Sequence, residues 1–159
     1  MRFILRVSVF ACLTLCACQS PSLEPERRAT GFVQALNARD IDLMAEFAAT
    51  PFRFRDQEWK SAPDGSGFVR GAATERVANT SEELRTLLLD VGANVKIADP
   101  TPVADPPSKA DLLSDPLSGA PIQWNELNLV LFRRGEGDVE HIAIVGVDSK
   151  GKVKCLYVN

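Results

Sequence analysis

Histidine is almost missing from this 159-residue chain: His141 stands alone, and only four cysteines accompany it, Cys12, Cys16, Cys18 and Cys155. Three of the four cysteines fall in the first 18 residues, so the rest of the chain holds one thiol and one imidazole. That is too few for a structural zinc site, which takes four Cys or His ligands, and it leaves no intramolecular disulfide beyond the N-terminal segment. No cofactor is expected. Tyrosine is equally scarce, with Tyr157 alone, so the side chains fit for acid–base work form a short set. The one apolar run near the N-terminus, Val7 to Leu15, has nine residues, whereas crossing a hydrocarbon core takes about 20. Positive charge is not in excess either, since 18 Lys and Arg against 21 Asp and Glu give a formal charge of −3. Nucleic acid is thereby excluded as a partner.

Turning to what is present, Arg2 and Arg6 precede the apolar run and Leu15-Cys16-Ala17-Cys18 closes it. A positive n-region, a short apolar stretch and a small residue before a cysteine resemble the signal of bacterial lipoproteins. The resemblance implies cleavage before Cys18, a diacylglycerol thioether on its sulfur, and attachment to a membrane through that lipid. Gln19 is not aspartate, which in such proteins implies transfer to the outer membrane, facing the periplasm. Each buried methylene contributes about 0.8 kcal/mol, so two or three acyl chains make attachment effectively permanent. Cleavage would leave 142 residues with 16 basic and 21 acidic side chains, a formal charge of −5. That length suits one domain. The expected division is a signal peptide at 1–17, a lipidated tether at 18–26 and a single domain at 27–159.

Periodicity assigns the elements of that domain. Ala29, Phe32, Val33 and Leu36 recur at helical spacing, one apolar stripe on a first helix. Asp40 can cap a second helix carrying Ile41, Met44, Ala45 and Ala48. Phe52, Phe54 and Asp56 then alternate with Arg53, Arg55 and Gln57, which is strand periodicity with the phenylalanines facing inward. The turn Pro63-Asp64-Gly65-Ser66-Gly67 returns the chain as a second strand, Phe68 to Val77. Thr80-Ser81-Glu82-Glu83 spells a capping box for a third helix with Leu84, Leu87, Leu88 and Val91, ended by Gly92 at its C′ position. Ala93 to Ala98 is expected as a short strand. Six of the ten prolines lie between Asp99 and Pro121, so this stretch is an irregular insertion with at most a turn of helix at Lys109 to Leu113; a lid, a partner-binding arm and slack are all open. Leu127 to Arg134, Val139 to Val147 and Val153 to Val158 close the chain as a three-stranded meander. The middle strand is apolar on both faces, with Val139, Ala143, Val145 and Val147 on one and Ile142 and Ile144 on the other. The fold class is α+β, three helices on one side of a curved, mainly antiparallel sheet.

This order of elements resembles the nuclear-transport-factor-2-like, or SnoaL-like, cone fold. Phe32-Val33-Gln34-Ala35-Leu36-Asn37-Ala38-Arg39-Asp40-Ile41-Asp42 is similar to that family's first helix and its turn into the second, and Gly151-Lys152-Val153 to its last hairpin. The resemblance implies a catalytic aspartate at Asp56 in the enzymatic members and an oxyanion-donating tyrosine where this chain has Phe32. It also implies dimerisation through the open sheet face. A phenyl ring offers no hydroxyl, which counts against isomerase chemistry of that type.

Two functional readings follow. In the first, the domain binds a small apolar ligand or a partner protein, without catalysis, in a cavity lined by Phe32, Phe54, Leu84, Val145 and Tyr157. In the second it is an acid–base enzyme of dehydratase, hydrolase or isomerase type, using Asp56 with His141 or Tyr157. Phenylalanine neighbours would desolvate Asp56 and raise its pKa; a pairing with Arg53, Arg55 or Arg70 would make it structural instead. If Asp148 pairs with Lys152, Cys155 lies opposite Val145 and Tyr157 opposite Ala143. His141 is then about 14 Å from the residue facing Cys155, too far for a Cys-His dyad, and about 7 Å from Tyr157. Cys155 reads as a small buried hydrophobe.

Overall fold

A computed structural model describes residues 23–114, 116–117, 122–135 and 141–159. The signal segment, Cys18 and residues 136–140, which include Val139 at the start of the expected middle strand, lie outside the described residues.

Helix α1 (Leu23–Ala38) buries its stripe completely, Ala29, Phe32, Val33 and Leu36 all at 0% exposure. It starts inside the segment expected to be tether, because Pro25 falls in the first turn, where its missing N–H costs nothing. Glu24 there accepts from Arg27 and Arg28 at 2.7 and 2.8 Å. The helix ends on Arg39 at φ 57°, with Arg39 N–H donating to Leu36 O and Asp40 N–H to Ala35 O, the paired bonds that close a helix through one left-handed residue. Asp40 then caps α2 (Ile41–Phe47) by accepting from Leu43 N–H at 3.0 Å.

Strands β1 (Ala48–Ser61) and β2 (Phe68–Ala78) form the expected antiparallel hairpin. Helix α3 (Ser81–Asn94) opens on the capping box of Thr80 and Glu83. Gly92 does not end it: the helix continues to Asn94, and a Cβ at Gly92 would sit 3.3 Å from Ile41 Cδ1. The glycine therefore admits α2, which outweighs its preference for a helix end. Nor does a strand follow. Asn37 donates its amide to Ile97 O at 2.7 Å and accepts from Ile97 N–H at 3.0 Å, and Ala98 N–H reaches Arg134 O, so this backbone is satisfied without a ladder.

Strands β3 (Asn128–Arg133), β4 (Ile142–Val147) and β5 (Val153–Val158) complete a five-stranded sheet in the order β2-β1-β5-β4-β3. All neighbours are antiparallel except β1 and β5. The fold is thus α+β, with helices packed on a mostly antiparallel, mixed sheet.

The three expected helices, α1 to α3, lie on one side of it, and a further short helix and a 3₁₀ turn lie on the other. Phe52, Phe54, Val130, Phe132, Val145 and Leu156 join the core under α1 to α3. The intervening side chains Leu131, Ile144, Cys155 and Tyr157 face the opposite way, against Leu112 of α4 (Lys109–Ser114), Leu117 and Trp124 of a 3₁₀ turn (Ile122–Glu126). The Pro-rich insertion is therefore a second covering layer. Its cause lies in β4, whose Ile144 would otherwise leave about 1.5–3 kcal/mol of burial unrealised. The same segment guards the outer edge of β3, where Pro102 bridges Phe132 and Val103 N–H donates to Leu131 O at 2.9 Å. The sheet face expected to stay open for dimerisation carries this layer instead.

Candidate functional site

The last hairpin decides where the expected site residues go. Its turn has the expected pairing, with Asp148 N–H donating to Lys152 O at 2.8 Å and Val147 opposite Val153. One step further the register shifts: Lys154 is an extra residue, Gly146 faces Cys155 and Ile144 faces Tyr157. A slip of one residue turns a strand over, and Tyr157 lands in the second core while Phe32, Phe54, Leu84 and Val145 stay in the first. The five do not share a cavity. Phe32 instead packs on Phe52, ring centroids 6.1 Å apart, and the expected ligand space is filled by the chain's own side chains.

Asp56 keeps step with Phe52 and Phe54 but is exposed, beyond the last core residue of β1 on that face. It pairs with Thr74 on one side and Val158 on the other. Arg53 and Arg55, two of its expected partners, reach Glu75 at 2.9 and 3.7 Å. Val158 faces Ala143, so His141 is two strands across and two residues along from Asp56, roughly 12 Å away. His141 is itself exposed, its Nδ1 3.2 Å from Asn159 O. Tyr157 is wholly buried on the other side of the sheet. Asp56, His141 and Tyr157 are thus not brought together.

What the second layer does create is a hollow of about 390 Å³ at its margin, lined by Pro51 and Arg53 of β1, Lys154 and Cys155 of β5, Asp148 and Ser149 of the turn, and Trp124, Glu126 and Leu127. That volume lies in the range of small-molecule sites. Its floor is apolar: Trp124, Leu127 and Cys155 are buried members of the second core. Trp124 Nε1 is buried and has no hydrogen-bond partner among the described residues, which makes it a donor in want of an acceptor. The rim is charged. Lys154, the residue of the register shift, donates to Thr50 O at 2.6 Å and keeps two further ammonium hydrogens. Asp148 is committed to the turn, accepting from Lys150 and Lys152 N–H at 2.9 Å each. Burial holds the Cys155 thiol well above its ordinary value, so it stays protonated and is a wall, not a nucleophile.

A second hollow, of about 430 Å³, lies between α1 and the end of α2, lined by Arg27, Arg28, Thr30, Gly31, Gln34 and Phe47. Its two guanidinium groups share Glu24, whose carboxyl they hold below its usual value through hydrogen bonds from Arg27 and Arg28.

The first hollow went unforeseen, although Trp124, just after the proline-rich stretch, was a signal that the chain there packs against something. No described group of three or more His, Cys, Asp or Glu could hold a metal ion, and no described helix is long and apolar enough to cross a membrane. These features define, among the described residues, an α+β domain with helices on both sides of its sheet and an amphiphilic hollow at the margin of the second layer. No family model matches the chain, and no curated protein is similar to it in sequence.

Proposed function

We propose that this is a lipid-tethered domain of the nuclear-transport-factor-2-like kind, held at the periplasmic face of the outer membrane, which binds a small amphiphilic molecule without transforming it. The observation that carries the binding reading is the hollow at the edge of the second layer, with its apolar floor of Trp124, Leu127 and Cys155 and the ammonium of Lys154 on its rim. An apolar ring or chain would lie on that floor, with a carboxylate or other acceptor toward Lys154. The rival acid–base reading needs Asp56 beside His141 or Tyr157, and their separation removes its support. For the anchor, the support is the N-terminal sequence: Leu15-Cys16-Ala17-Cys18 after a short apolar run. Since α1 begins at Leu23, five residue steps from Cys18 reach at most about 17 Å, and the domain would work close against the bilayer.

Native mass spectrometry of the full acylated chain, released from its own host's membranes in mild detergent, tests the binding reading. A reproducible added mass is expected, lost or weakened in Lys154→Met; a bare chain would end this reading. Anchoring is tested separately by Cys18→Ser, which should leave the protein extractable by carbonate while wild type stays in the membrane.

A further inference from the structure

The two edges of the sheet are treated differently. Segment 98–103 protects β3, while β2 lies at the opposite end of the strand order with β1 as its only strand neighbour among the described residues. An unpaired edge presents a row of free N–H and C=O groups and is a template for another strand. Exposed large apolar side chains concentrate on it: of the five among the described residues, Phe68, Val69 and Val77 belong to β2.

A bulge makes this edge self-complementary. Between Gln57 and Trp59 the register of the hairpin shifts, so that Phe68 and Arg70 oppose Ser61 and Trp59, while Glu75 and Val77 oppose Arg55 and Arg53. These four β1 residues share one face, so Phe68, Arg70, Glu75 and Val77 do too. Arg70 lies over the Trp59 ring at 5.6 Å and Glu75 bridges Arg53, consistent with that placement. When a second β2 is laid antiparallel, faces match and Arg70 falls opposite Glu75 twice by symmetry, with Phe68 opposite Val77 at both ends. Opposite charges and apolar pairs directly across a ladder are the stabilising arrangement.

We propose that β2 pairs edge to edge, antiparallel, with β2 of a second copy of this chain, in the register that sets Phe68 against Val77 and Arg70 against Glu75. The twofold axis of such a ladder is perpendicular to the sheet, so both sets of α1 to α3 fall on the same side of a joined ten-stranded sheet. That geometry lets two tethers reach one bilayer.

The full acylated chain in native membranes provides the test. Cβ atoms directly across a ladder lie about 4.5–5.5 Å apart, close enough for a disulfide after small adjustment. The double variant Phe68→Cys, Val77→Cys should give a covalent dimer on mild oxidation, and Phe68→Cys alone should not, since Phe68 faces Val77 of the other copy. Absence of a dimer in the double variant overturns the pairing, and equal cross-linking by the single variant overturns the register. Sedimentation of the detergent-solubilised wild type should give a dimer at micromolar concentration, with association at least tenfold weaker in Phe68→Lys, Val77→Lys. Both positions are exposed, so folding is unaffected and circular dichroism should superimpose. A dimer that persists unweakened in the lysine variant refutes the inference and leaves ligand binding in the hollow untouched.

Discussion

Replacing Gly146 with alanine puts a methyl carbon 2.2 Å from Cys155 Sγ and 2.7 Å from Leu127 Cδ1. Non-bonded heavy atoms come to rest near 3.5–4.0 Å, so the new carbon is more than 1 Å too close to the sulfur and about 1 Å too close to Leu127 Cδ1. Neither neighbour can swing away. Cys155 and Leu127 are buried in the second core, and Cys155 is the residue directly across the ladder, so relief requires β4 and β5 to part or the 3₁₀ turn to lift. Overpacking of this kind costs about 1–3 kcal/mol, and two simultaneous clashes put Gly146→Ala near the upper end, a fall of roughly 10 °C in melting temperature for a domain this size. Cys155→Ala alone, a modest cavity, should cost about 1 kcal/mol. The double variant removes the sulfur that the methyl strikes, so it should be more stable than the sum of the singles by about 1–2 kcal/mol, a contact-type coupling. Rescue stays partial because Leu127 remains. Urea unfolding followed by circular dichroism measures all four corners of the cycle. A Gly146→Ala midpoint indistinguishable from wild type, or strict additivity, would refute the packing of the second layer on the sheet.

Three further outcomes are expected. Arg39→Gly should stabilise by about 0.5–1 kcal/mol, because φ 57° strains any residue with a Cβ and suits glycine, and a urea midpoint reads it directly. Leu112→Ala, which empties the underside of α4, should cost about 2–4 kcal/mol and open segment 99–127 to proteolysis before the rest of the chain; uniform cleavage kinetics would contradict its role as a cover. Stability should also fall as pH rises past 9.0, the ordinary thiol value: the unfolded chain then loses the Cys155 proton while burial keeps it on the folded one, and below that pH both forms hold it. Comparing wild type with Cys155→Ala between pH 8 and 10.5 isolates this slope, which the variant should lack.

The features legible in the sequence are those fixed within a few residues. The α1 stripe, the Asp40 cap, the Thr80–Glu83 capping box and the Pro63–Gly67 turn each depend on neighbours no more than about one helical turn away, and each appears where its pattern stands. The face of Tyr157 depends on something else. Cys155, Leu156, Tyr157 and Val158 are apolar on both faces and all buried, so no polar residue declares which side is out, and an extra residue at Lys154 costs nothing visible in the pattern. Where one face is polar, a slip is betrayed; in a strand sandwiched between two layers it is silent. The candidate catalytic set failed at that point for Tyr157, whose face was counted through a bulge, whereas Asp56 keeps the expected face and is exposed beyond the last core residue of β1.

The second layer shows a different kind of legibility, by conservation of apolar surface. Ile142 and Ile144 against Ala143, Val145 and Val147 already require cover on both sides of β4, and three amphipathic helices on one side supply half of it. The apolar residues left without an assignment were those of the insertion and its exit, Leu112, Leu113, Leu117 and Trp124. Demand on one face and unassigned supply in one segment meet only if the segment crosses the sheet, whatever its lack of periodicity. Six prolines do not oppose this, because a covering layer needs side chains pointing inward and not a ladder or a long helix. The cover is too short to seal the whole face. It stops at Trp124 and Leu127 beside β1 and β5, and the hollow is the unfilled margin of a layer built to hide Ile144, Cys155 and Tyr157.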